Sequence, residues 1–215
     1  MTPWSPFDDL SPTQREQLNA FAEELARINK RINLVASSTI PLVEERHLTH
    51  SLTLAHRGFP DGATVADFGA GGGLPAVPLA VRFPNVQFVA IDAVRKKTEA
   101  TRLFARRLGL SNLEVWHGRA EQWNGVTHYA VSRKTAPLVD LWKWFERVVE
   151  PLDSIPEDCW PQSLVTLKGG DLTKEIAALL DARPNLTIQR TDLYELLGRP
   201  YFRNKEILAV SDPKR

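Results

Sequence analysis

From Ala63 onward, short apolar runs alternate with segments of helical spacing, and few architectures satisfy such an alternation. The runs are residues 64–68, 86–91, 113–116, 129–132 and 163–167, with helical stretches near 75–82, 94–108 and 137–149. A strand, a crossover helix and a further strand return the chain in the same direction. The pattern therefore predicts an α/β fold with a mainly parallel sheet covered on both faces. Residues 187–189 and 206–210 supply two closing strands, one of them expected to be antiparallel. The stretch Pro151–Pro161 holds three prolines and reads as a loop.

Two helical segments precede the alternation. Ser11-Pro12 pairs a capping side chain with a proline at the first helical position. Leu18, Phe21, Ala22, Leu25, Ile28 and Ile32 then recur at helical spacing, which predicts a helix over 12–32. Leu42, Val43, Leu48, Leu52 and Leu54 predict a second over about 40–56, opened by Pro41. Residues 1–60 read as a helical cap and 61–215 as the α/β domain, one structural unit overall. Cys159 is the only cysteine, which excludes an intrachain disulfide and fits a reducing compartment. MTPWSPFDDL has neither a basic start nor an apolar run, and no segment approaches the ~20 apolar residues of a bilayer span. A cytoplasmic protein is expected.

The segment Asp67-Phe68-Gly69-Ala70-Gly71-Gly72-Gly73-Leu74-Pro75 lies where the first strand hands over to the first crossover helix. Glycines there let the backbone turn sharply and let a ligand approach without meeting a Cβ. A dinucleotide fingerprint needs glycine at position 74, where this chain has Leu74. The spacing acid-x-Gly-x-Gly-x-Gly is that of S-adenosylmethionine enzymes. Asp92 ends the second strand, 23 residues after Gly69, where a carboxylate can accept hydrogen bonds from both ribose hydroxyls. The same residue would also serve as a cap for the helix near Val94. After the third strand, Gly118-Arg119-Ala120-Glu121 falls where such folds place groups beside an adenine.

Net charge is only +1, so any nucleic-acid contact must be local. One basic cluster exists: Arg95, Lys96, Lys97, Arg102, Arg106 and Arg107 stand against the single acid Glu99. A solvated helix face explains the cluster equally well.

Taken in order, several segments resemble the bacterial 16S rRNA guanine-N7 methyltransferases, the glucose-inhibited division protein B family. They are Ile32-Asn33-Leu34, Glu45-Arg46-His47-Leu48, the glycine turn with Leu74-Pro75, Asp92 with Lys96-Lys97, Arg119-Ala120-Glu121, Val131-Ser132-Arg133 and Leu167-Lys168-Gly169. The resemblance implies a Rossmann-like class I S-adenosylmethionine-dependent methyltransferase fold with an N-terminal helical cap. It implies a cofactor site at Gly69, Gly71, Gly73, Leu74, Asp92, Ala93, Val94, Ala120, Glu121 and Arg133. Its substrate would be a guanine of 16S rRNA, in the small ribosomal subunit or free of it. Arg133 and Asn33 would stand at the reacting groups. His47, Lys96, Arg102, Arg106, Arg203 and Lys205 would join Asn33 on the RNA side. The chain departs from the family pattern at His50, where an aspartate is usual. Arg203 and Lys205 also compete for a position where the family places an arginine.

Guanine N7 carries an in-plane lone pair and no proton at neutral pH, so the implied reaction needs alignment rather than a general base. The chain has no Asn/Asp-Pro-Pro-aromatic segment of the kind that grips an exocyclic amine. Cys159 is not in the Pro-Cys pair of a C5-pyrimidine enzyme. His47, His50 and His56 lack a completing cysteine or carboxylate, and no metal is expected. Trp142 and Trp144 stand at helical spacing and read first as core, with base stacking as the functional reading. A monomer without a membrane contact is expected. The competing readings are a methyltransferase for a small metabolite or protein, which leaves Asn33 and the basic cluster idle, and a non-catalytic RNA-binding module.

Overall fold

The computed structural model describes residues 4–214. Helix α1 (Pro12–Asn29) starts with a reciprocal cap: Ser11 Oγ accepts from Gln14 N–H, and the Gln14 side chain accepts from Ser11 N–H. Gln14 Nε2 also donates to the carbonyls of Val81 and Arg82, and Gln17 Nε2 to that of Leu108. Two side chains of α1 thus satisfy the open carbonyls of two later helices. The helix stops at Asn29, short of the expected 32, because Asn29 Oδ1 turns back to accept from Leu34 and Val35 N–H.

The expected regular helix over 40–56 is not one. A 3-10 turn (Ser37–Leu42) is followed by a π turn (Glu44–Thr49), the short α2 (His50–Leu52) and a second 3-10 turn (Thr53–His56). Pro41 withholds a donor near its start. His47 through Leu54 are buried without a break, so this segment is wrapped by its surroundings and has no single apolar stripe to hold a regular helix.

The alternating region forms β1 (Thr64–Phe68), α3 (Ala76–Arg82), β2 (Gln87–Asp92), α4 (Arg95–Leu108) and β3 (Leu113–His117). It continues with β4 (Tyr129–Arg133), α5 (Leu138–Val148), β5 (Leu164–Gly169), α6 (Thr173–Ala182), β6 (Thr187–Asp192), α7 (Leu193–Leu197) and β7 (Lys205–Ser211). Helices α6 and α7 lie beyond the segments anticipated from sequence. The sheet order is β3-β2-β1-β4-β5-β7-β6; β1 to β5 run parallel, and β7 is antiparallel to both its neighbours. One closing strand is therefore reversed, as the pattern predicts.

Successive strand residues feed two cores. Val65, Phe88, Ala90, Tyr129 and Val131 pack with α1, α3 and α4. Ala66, Phe68, Val89, Ile91 and Ala130 pack with α5 and α6 on the other face. Phe21 of α1 meets Phe104 of α4 edge-on at 5.1 Å, so the cap shares the first core. The order reverses between β1 and β4, and the carboxyl ends of those strands border the crevice where such sheets bind ligands. No helix among the described residues is long and apolar enough to cross a membrane.

Candidate active site

The glycine turn sits at that crevice. Gly69 and Ala70 N–H both donate to the Ile91 carbonyl, each at 2.9 Å, which ties the turn to the end of β2. Gly69 has φ +79°, and a Cβ there would lie 2.2 Å from Thr135 Cγ2, so glycine alone lets the segment after β4 cross it. At Gly71, φ +57°, a Cβ would face open space, with nothing nearer than the Gly69 carbonyl at 4.0 Å. Leu34, from the loop after α1, packs against Gly72, and the neighbouring Asn33 is exposed. Beneath the turn, Asp67 is fully buried. One oxygen accepts from Ala76 N–H at 3.0 Å and the other has no partner; burial pushes this carboxyl up to about 7.

Asp92 performs the capping role and still faces the crevice. Its Oδ1 accepts from Val94 N–H at 2.8 Å and its Oδ2 from Gly71 N–H at 2.9 Å. A carboxylate has about four lone-pair sites, so two remain for a ligand. Two adjoining clefts share Asp92, Gly69 and Thr135. One, about 180 Å³, is lined by Ala93, Gly118, Arg119, Ala120, Glu121 and Trp144. The other, about 260 Å³, is lined by Leu34, Gly71, Leu74, Lys97, Arg133 and Lys134.

Arg133, at the end of β4, is a part-buried cation that forms no salt bridge among the described residues. Its Nη1 reaches the Arg46 carbonyl at 3.4 Å and His47 Nδ1 at 3.3 Å. Burial holds its pKa below the usual arginine value, and Asp67 opposes that shift. His47 is oriented from its other side. Thr39 Oγ1 donates to the Ala36 carbonyl at 2.6 Å and lies 2.7 Å from His47 Nε2, so the ring proton sits on Nε2 and the Nδ1 lone pair faces Arg133. Burial, then Arg133, Lys134 and Arg46, push His47 down to about 4, so the ring is neutral at physiological pH.

Most of the residues expected on the cofactor side converge here: Gly69, Gly71, Leu74, Asp92, Ala93, Ala120, Glu121 and Arg133 line the two clefts. Gly73 and Val94 do not. A Cβ at Gly73 would meet Val77 of α3, and Val94 is exposed at the start of α4. His47 acts on Arg133 from behind. Lys96, Arg102 and Arg106 are exposed along α4, and Arg102 donates to the Val115 carbonyl. Arg203 stacks over the Tyr194 ring at 5.0 Å, while Lys205 lies over Tyr201 at 4.0 Å and lines a third cavity.

Sequence reasoning passed over Lys134 and Thr135, placed Lys97 only in the basic cluster, and read Trp144 as core or base-stacking rather than as a wall of the cofactor cleft. Helical spacing offered a signal for Lys97: Thr101, four residues on, bonds the Gly71 carbonyl at 3.3 Å, so this stripe of α4 faces the turn. Trp142 is core and bonds Glu146, whereas Trp144 borders the smaller cleft, edge-on to Phe68 at 5.9 Å. Among the described residues, no three metal-ligating side chains converge.

The model of the family described as rRNA small subunit methyltransferase G matches residues 14–183. A Ribosomal RNA small subunit methyltransferase G of Salinibacter ruber is 51% identical over 208 residues, covering 96% of this chain and 97% of that protein. One from Chlorobium limicola is 36% identical over 211 residues, covering 94% and 90%. Among solved structures, a geranyl diphosphate methyltransferase in complex with GPP and sinefungin aligns with TM-score 0.59 at 14% identity, over 94% of this chain and 99% of that one. A SAM dependent methyltransferase from Aquifex aeolicus aligns with TM-score 0.56 at 17% identity, over 79% and 93%. At such identities these structures speak to the fold alone.

Proposed function

This chain belongs to the rRNA small subunit methyltransferase G family, and from that premise we propose that it transfers a methyl group from S-adenosylmethionine to N7 of a guanine in small-subunit (16S) rRNA. The cofactor supplies a methyl group on a positively charged sulfur, flanked by a carboxylate, a ribose and an adenine. Each of these has a fitting partner in the two clefts. The Gly69–Gly73 turn offers a cradle without side chains at Gly69 and Gly71. Asp92 keeps free lone pairs for the ribose hydroxyls. Ala120, Glu121 and Trp144 form a wall for the adenine. Arg133 carries the argument: a part-buried guanidinium that forms no salt bridge, with only Asp67 acting on it at longer range, gains from a ligand that completes it, and a planar carboxylate matches its fork.

The chain has little chemistry left to perform. In the transfer the in-plane lone pair of guanine N7 would form the new bond to the methyl carbon as the carbon–sulfur bond broke with its electron pair remaining on sulfur, so no proton would move. No general base is therefore required, and positioning supplies the rate. Asn33, exposed and next in sequence to Leu34, which shares a cleft with Arg133, offers a donor and an acceptor to the base edge. Gly73 and Val94 contribute to the cofactor site through the shape of the turn and the start of α4. Lys96, Arg102, Arg106, Arg203 and Lys205 contribute on the RNA side, through phosphates. The protein acts in the cytoplasm as a monomer, without a metal. The test is transfer of labelled methyl to small subunits lacking the modification, with mass spectrometry locating 7-methylguanosine. Unlabelled rRNA, with the cofactor shown to bind, would reject the RNA assignment and favour a small-molecule or protein substrate.

A further inference from the structure

A third cavity, about 450 Å³, shares Lys134 with the cleft over the glycine turn and lies at the carboxyl end of β5, beside the start of β7. Its volume is in the range of roughly 300–1,000 Å³ typical of small-ligand sites. No carboxylate lines it, whereas three lysines do. Lys168 is already neutralised, since its ammonium donates to Glu175 at 2.6 Å and to the Ala136 carbonyl at 2.7 Å. Among the described residues neither Lys134 nor Lys205 forms a salt bridge; Lys205 donates to the Tyr201 carbonyl and feels Glu45 only at longer range. Lys205 rests on the Tyr201 ring, which also carries Arg46 at 5.2 Å, and Arg133 follows Lys134 in the shared wall of the neighbouring cleft.

The backbone holds this arrangement against its own preference. Lys134 has φ +58° and Asn204, also in the lining, φ +57°, a region uncommon for non-glycine residues, though asparagine enters it more readily than lysine. His50 contributes a buried ring with neither nitrogen hydrogen-bonded. Burial and the surrounding cations keep that ring neutral, so it does not add to the charge. Desolvation, and then their cationic neighbours, hold both Lys134 and Lys205 below the usual lysine pKa. An entering anion would relieve that repulsion.

We propose that this cavity is a phosphate subsite in which Lys134 and Lys205 grip a backbone phosphodiester of the strand that carries the target guanine. The inference rests on the rRNA reading above. A strand whose base enters the cleft beside Arg133 must pass Lys134, which is why an RNA phosphate fits better than a free one. Both lysines act as point charges and confer no sequence preference.

The experiment uses the full chain, a hairpin from small-subunit rRNA, and the variants Lys134→Gln, Lys205→Gln and their double, each checked by melting. Wild-type methylation of small subunits is established first, and its absence would remove the functional reading itself. Each single variant is expected to bind the hairpin roughly tenfold more weakly and to lower the salt slope of binding by about one unit. The affinity of Lys205→Gln for S-adenosylhomocysteine stays at the wild-type value. A set of hairpins with one neutral methylphosphonate linkage each locates the contact: one position weakens wild type and leaves the double variant unaffected. Active wild type with unchanged affinity and slope in the variants overturns the subsite. Competition by inorganic phosphate, with no sensitive linkage in the RNA, assigns the cavity to a free phosphate and overturns the RNA contact.

Discussion

The cleft over the glycine turn and the lysine-walled cavity meet at Lys134, yet they are assembled differently. The first draws its floor from one short stretch, residues 69–72 and 74, and from main-chain groups at the ends of β1 and β2. The second gathers His50 from the cap, Lys134 after β4, Gly169 at the end of β5 and Gly170 beyond it, and Asn204 and Lys205 at the start of β7. A site made of backbone tolerates changes of side chain around it and fails when a Cβ intrudes. A site made of side chains tolerates small shifts of backbone and fails residue by residue.

Gly69→Ala should show the sharpest break. The new methyl would overlap Thr135 at a left-handed φ, so a loss of about 3 kcal/mol of stability is expected, together with cofactor binding. Gly62→Ala is the control, because its φ of +78° is similar but a Cβ there meets nothing within 4 Å. Equal melting losses in the two would show that overlap with Thr135 contributes nothing.

Arg133→Ala comes next. Methyl transfer to small subunits, measured in single turnover with saturating cofactor, should fall about 100-fold or more. Stability should hold, since the part-buried side chain makes only long hydrogen bonds and forms no salt bridge. Arg133→Lys should stay well below wild type, because an ammonium cannot offer a planar two-point contact. A wild-type rate in Arg133→Ala would take this residue out of the site.

His47 joins the two modes of construction, being a cap residue that orients Arg133. His47→Ala should lower methyl transfer by roughly tenfold, with His47→Asn recovering part of it by keeping an acceptor toward Arg133. Equal rates in the two variants would reduce His47 to packing. A pH readout separates the roles further. With a folded value near 4 against an ordinary 6.5, the unfolded chain binds a proton at His47 that the folded chain refuses. The contribution of His47 is therefore complete above about pH 6.5 and is lost as pH falls toward about 4. Asp67, raised from 3.8 to about 7, works in the opposite direction, with stability falling as pH rises through that range. The difference between wild type and His47→Asn isolates the histidine; parallel stability curves between pH 4 and 6.5 would contradict its assignment.

Arg106→Gln is the smallest expected effect. Arg106 is exposed on α4, and neutralising it should lower the salt slope of rRNA binding by about one unit with only a few-fold loss of affinity. An unchanged slope would mean that this helix face meets solvent only.

Much of this was legible before any coordinates. The period-2 and period-3.6 patterns set the parallel strands, one reversed strand among the two closing ones and the position of the glycine turn. The acid 23 residues beyond Gly69 does reach that turn. These are local properties: backbone direction and the need for a missing Cβ are written in neighbouring residues. The wrapped segment 37–56 was not legible, because a chain buried on all sides carries no amphipathic period to read.

Sequence alone thus determined the sheet, its crevice and the backbone floor of the site, since hydrophobic period and glycine spacing act over a few residues. Tertiary structure decided which side chains meet there. It set His47 against Arg133, 86 residues apart, and fixed the ring proton through Thr39. It turned Lys97 toward the cleft and left Lys96 exposed, and it sent Lys205 into the cavity while Arg203 stacked on Tyr194. Such choices depend on distances between packed elements, and those distances are settled only when α1, the cap segment and the sheet close around one core.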